Sequence, residues 1–60
     1  MTTFNINQIV RGKVAGVFVI LGFRRVNRVE MAVLKSVNPT NLGQVLPGEL
    51  WLEVDSLKEY

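Results

Sequence analysis

The chain has 60 residues, no cysteine, no histidine and a formal net charge of +2. These counts exclude disulfides, zinc fingers, histidine-ligated haem and any chemistry that needs a histidine base. They allow one domain. At this length a folded monomer hides only about 60% of the surface its unfolded chain exposes, so a partner chain is the support still open.

A hydrophobic fraction of 48% is too high for intrinsic disorder. The charges are ordered along the chain. Arg11, Lys13, Arg24, Arg25, Arg28 and Lys35 come first; Glu49, Glu53, Asp55 and Glu59 come last. The most apolar stretch, residues 14–23, falls short of the roughly 20 residues that span a bilayer. Met1-Thr-Thr-Phe-Asn5 lacks a basic start followed by an apolar run, so no leader and a cytoplasmic location are expected.

In chain order, residues 4–10 are readable two ways. Phe4, Ile6, Gln8 and Val10 alternate as an edge strand would, and Asn5 or Asn7 with Gly12 would bracket a helical turn. Val17, Phe18, Val19, Ile20 and Leu21 form an unbroken apolar run between Gly16 and Gly22. Its β-branched and aromatic content predicts a strand. A strand apolar on both faces must be covered on both, so these five residues are the expected oligomer interface. Asn27 tolerates positive φ and predicts a tight hairpin. In residues 29–37, Val29, Met31, Val33 and Val37 share a face opposite Glu30, Ala32, Leu34 and Ser36.

Asn38 to Gly48 is predicted as the longest loop, with Pro39 ending the preceding strand and Pro47-Gly48 as a type II turn. In residues 49–54, Leu50, Leu52 and Val54 point one way and Glu49, Trp51 and Glu53 the other. Asp55 is predicted to cap a short helical turn, with Leu57 folded back onto the core. Four to five short antiparallel strands and a final helical turn predict one all-β domain, a small SH3-like barrel over residues 1–60. The alternative is an open meander stable only as a dimer.

Gly12-Lys13-Val14-Ala15-Gly16-Val17-Phe18, Met31-Ala32-Val33 and Leu52-Glu53-Val54-Asp55-Ser56-Leu57-Lys58 resemble the barrel of the plasmid-borne type II dihydrofolate reductases. The resemblance implies an SH3-like barrel, a tendency to oligomerise and a gene carried on a mobile element. That family's pore uses a Val-Gln-Ile-Tyr segment, where this chain has Glu49-Leu50-Trp51-Leu52. The Gln and Tyr have no counterparts, so the resemblance does not extend to reductase activity.

Catalytic groups are scarce. Glu49 and Glu53 are about 13 Å apart along one strand, too far for paired work on one bond. Asp55 and Glu59 are spaced for at most a weak cation contact, and capping explains Asp55 more simply. A non-enzymatic protein with no cofactor or metal is expected. Arg24, Arg25 and Arg28, with Phe23 for base stacking, form a candidate nucleic-acid contact; the same residues also read as a solvated turn that charges a sheet edge. Trp51, with Glu49 and Glu53, is a candidate protein-binding surface, and equally a lid on a second small core.

Overall fold

The computed structural model describes residues 4–60. The leader-free reading of the first five residues falls mostly on residues 1–3 and so lies outside them. Five antiparallel strands form one sheet: β1 (Ile9–Arg11), β2 (Val17–Val26), β3 (Val29–Asn38), β4 (Asn41–Glu53) and β5 (Lys58–Glu59). Their order is β4-β3-β2-β1-β5. A 3₁₀ turn, Val54–Ser56, leads from β4 to β5. The domain is therefore all-β, with a last strand that returns to pair with β1. Among the described residues the hydrogen-bonded order is open, with β4 and β5 at its ends.

The core lies on one side of the sheet, called here the inner face. Val10, Ile20, Ala32 and Leu34 are its fully buried members, joined by Phe4, Val54 and Leu57. Phe18, Phe23, Leu50 and Leu52 pack against them. In register, Ile20 faces Leu34, which faces Leu50, and Phe23 faces Ala32, which faces Leu52. The inner side of β3 is thus the Ala32/Leu34 side, and Val29, Met31 and Val33 look outward. Leu57 closes the core as the sequence suggests, but Asp55 does not cap the turn. The cap residue is Glu53, with Asp55 inside the turn, and the Ser56 hydroxyl donates to the Glu53 carbonyl at 2.7 Å.

One irregularity reorganises β2. Ile20 pairs with Leu34, but Gly22 pairs with Val33, which leaves Leu21 as an extra residue. Strand side chains alternate with period two, so one inserted residue exchanges the faces beyond it. Without the bulge, Gly22 would face the core and Phe23 the solvent. With it, Phe23 enters the core and Gly22 turns outward.

Residues 41–48 are a strand rather than a loop. Asn38 pairs with Asn41 and Val37 with Val45, so Pro39-Thr40 is a tight turn. The Asn38 side chain accepts from the Thr40 amide and hydroxyl at 3.0 and 2.8 Å, which holds that turn. Pro47-Gly48 makes a bulge instead of a turn. Between the Lys35–Glu49 and Val37–Val45 pairs, three residues of β4 oppose Ser36 alone, and Gly48 takes φ 103°. At the N-terminus no helical turn forms among the described residues, and the strand is confined to Ile9–Arg11. The Gln8 amide donates to the Asn5 carbonyl in a turn with Asn7 at φ 71°, and strand β1 follows.

Candidate functional site: an arginine-tipped hairpin and an outer sheet face

The β2–β3 hairpin closes in two residues, Asn27 and Arg28, between paired Val26 and Val29. Both have positive φ, 49° and 69°. This is the left-handed pair required by a type I′ turn, whose twist matches the flanking strands. The second position favours glycine, and this chain has arginine there. Arg24 and Arg25 precede it on adjacent positions and so lie on opposite faces of β2. Arg24 is on the outer face beside Met31, and its Nη1 donates to the Phe23 carbonyl at 2.7 Å. Arg25 is paired in register with Glu30. All three arginines are exposed. Phe23 is not at the tip; the Leu21 bulge has turned it into the core, so base stacking is not available to it in this arrangement.

The outer face of the sheet carries the second candidate. Three rows run across β4, β3 and β2: Glu53–Met31–Arg24, Trp51–Val33–Gly22, and Glu49–Lys35–Val19. Ile9 of β1 extends the last row. Trp51 is 44% exposed, whereas Val33 beside it is 5% exposed. Trp51 is paired with the covered Val33 on the outer face and leaves nearly half its own surface exposed. Glu49 and Glu53 flank it and are exposed. Of the apolar run in β2, Phe18 and Ile20 face the core, Val17 and Val19 lie half-buried on the outer face, and Leu21 is exposed at the bulge.

A third cluster was not visible in the sequence. Arg11, Lys13 and Lys58 line a cavity of about 270 Å³ with Gly12, Val14, Ala15, Gly16 and Val17. The β1–β5 ladder brings Lys58 opposite Arg11, a pairing across 47 positions (58 − 11) that no local pattern reveals. The Arg11 Nε also donates to the Glu59 carbonyl at 3.2 Å. This cluster sits at the opposite end of β2 from the arginine tip.

No protein-family model, curated protein or solved structure matches the chain. The functional reading therefore rests on the side chains. Among the described residues, no group of three or more acidic, histidine or cysteine side chains gathers as a metal site. The groups on offer are guanidinium and ammonium at the two ends of β2, and an aromatic ring between carboxylates on the outer face.

Proposed function

We propose that this protein is a small binding protein that grips the phosphate backbone of nucleic acid with the tip of its β2–β3 hairpin. Arg25 and Arg28 lead the contact, and Arg24 stands one step back on the outer face. One observation carries the reading: Arg28 occupies a left-handed turn position at φ 69°, where glycine would be free of strain. A residue held in a costly backbone conformation points to a role for its side chain. Arginine suits a phosphate because its planar fork gives two parallel hydrogen bonds. Phe23 is turned inward and the tip has no other aromatic ring, so the contact reads charge and not base identity. Glu30, opposite Arg25, lowers the net charge of the tip and favours a weak, salt-sensitive contact over a tight one.

Binding of a labelled single-stranded oligonucleotide, followed by anisotropy, tests this. Non-specific affinity in the range of about 10⁻⁴–10⁻⁶ M is expected, falling as salt rises with a log-log slope of about 0.7–0.9 per phosphate contacted. Replacing Arg25 and Arg28 with alanine lowers that slope by about two contacts. Binding that is indifferent to salt, or unchanged in this variant, refutes the proposal.

A second reading comes from Trp51. Its exposed ring between Glu49 and Glu53 on the outer face suits a protein partner whose apolar surface carries flanking positive charge.

A further inference from the structure

We infer that the outer face of the sheet is self-complementary, and that two copies pack through it about a two-fold axis parallel to β3. The face has three columns. β4 is acidic with one aromatic: Glu49, Trp51, Glu53. β3 is central: Met31, Val33, Lys35. β2 presents Val19, Gly22 and Arg24 at the matching levels. A two-fold interface puts the same patch on both copies, with each contact made twice. An axis along β3 exchanges the β4 and β2 columns and keeps each row level. Glu53 then faces the second copy's Arg24, and Trp51 stands over the second copy's Gly22. Met31 meets its own counterpart on the axis, and Val33, already covered in the single chain, lies beneath the contact.

The fit is steric as well as electrostatic. Gly22 leaves a gap on the outer face: a Cβ built there would meet only the Arg24 Nη1, at 3.6 Å. Trp51 is the large side chain in the same row, two strands away. The rotation brings the bulky Trp51 ring of one copy over a position of the other that carries no side chain. The competing two-fold axis, across the strands, sets Glu53 against the second copy's Glu49 and Trp51 against Trp51. That arrangement opposes like charges and leaves both Gly22 gaps empty. Lys35 is the adverse element of the favoured arrangement, since it meets its own copy near the axis. It is half-buried and paired in register with Glu49, and its long stem can carry the ammonium outward.

Sheets that pack face to face lie about 10 Å apart, with strands roughly aligned. An interface of about 800 Å² per partner is standard, roughly a fifth of this molecule's 4355 Å² surface. The face described rests on nine residues, one of them glycine and one, Val33, already covered, so a reversible dimer in the ~1 μM to ~1 mM range is expected. The axis direction also places both Asn27–Arg28 turns at one end of the dimer. Arg24 is then engaged between copies, while Arg25 and Arg28 stay free for phosphate. Only that last consequence rests on the phosphate reading.

Sedimentation equilibrium without nucleic acid, from about 1 μM to about 1 mM, tests the dimer by itself. The wild-type chain is expected to pass from monomer to dimer. Gly22→Val fills the gap with a good strand former and is expected to fold normally by circular dichroism yet remain monomeric throughout. Glu53→Arg is expected to lose association, and the double variant Arg24→Glu/Glu53→Arg to regain it, since the charges are exchanged and not removed. Should Gly22→Val fail to fold, the charge pair decides. A wild-type chain that is monomeric at the highest concentration overturns the inference. So does wild-type-like association of either single variant, or a double variant that stays monomeric.

Discussion

Replacing Arg28 with glycine is expected to stabilise the fold and weaken phosphate binding in the same molecule. Arg28 is the second residue of a two-residue turn, with φ 69° after Asn27 at 49°. Holding a side chain in the left-handed region costs about 1–2 kcal/mol. Glycine removes that cost, while its freer unfolded chain takes back about 0.5–1 kcal/mol. The net gain is about 0.5–1 kcal/mol, or a rise of about 2–8 °C in Tm for a domain of this size. Calorimetry or a circular dichroism melt reads the first effect, and oligonucleotide anisotropy the second. The affinity should fall and the salt slope shrink by about one contact. A lowered Tm would refute the left-handed assignment of Arg28. A raised Tm with unchanged affinity would separate the strain from phosphate binding and refute the functional argument built on it.

Leu34→Ala removes a fully buried side chain that faces Ile20 and Leu50 in register. A loss of about 2–5 kcal/mol is expected, a large share of what a domain this small possesses; a shift under about 1 kcal/mol in urea unfolding would contradict the core as described. Gly12→Ala puts a Cβ 2.5 Å from the Ala15 carbonyl oxygen and 3.1 Å from the Phe18 ring, so the loop must move, at about 1–3 kcal/mol. Gly48→Ala meets nothing within 4 Å but sits at φ 103°, so its cost is in the backbone alone, about 1–2 kcal/mol. Amide shifts should therefore spread to Phe18 and Val17 in the first variant and stay local in the second; the reverse pattern would count against both assignments. Trp51 is the chain's single tryptophan and stands exposed between two carboxylates. Caesium should quench its fluorescence more effectively than iodide, each relative to free tryptophan, and iodide preference would displace the ring from the acidic column.

Much of this arrangement was legible in the sequence, and the rest was hidden for identifiable reasons. Period-two alternation over 49–54 gave the Leu50/Leu52/Val54 core side and the outward Trp51 column correctly. Asn27 announced its turn, because few side chains tolerate positive φ. The stretch 41–48 read as a loop because Pro47, Gly43, Gly48 and Asn41 disfavour strands, yet pairing to β3 at Asn41 and Val45 overrides those preferences. The two-residue β5 is too short for any pattern. The Leu21 bulge is the most consequential hidden feature. A run of apolar residues has no alternation to break, so nothing marks the point where the faces exchange. Phe23 consequently read as a tip residue and Gly22 as the end of the apolar run, when one fills the core and the other lies beside Val33 on the outer face.

The Pro47-Gly48 bulge bears on how readily the sheet edge can accept another strand. Among the described residues β4 ends the sheet order and pairs only with β3, so its other side offers unmatched amides and carbonyls along a 13-residue strand. Leu42, Val45 and Leu46 are exposed on it, a combination that invites other chains to add as strands. The bulge cuts this template in two. A second irregularity, with Leu42, Gly43 and Gln44 between the Asn38–Asn41 and Val37–Val45 pairs, breaks the first part again, and residues 49–53 are fewer than the roughly six or seven that a fibril-forming segment needs. Pro47 contributes no amide to an incoming strand, and Glu49 and Glu53 charge the second segment. A regular β4, without the proline and with an unkinked backbone at 46–48, would join Val45 and Leu46 to residues 49–53 in one longer pairing edge. The two irregularities thus leave the long hairpin arm without a regular edge for strand addition.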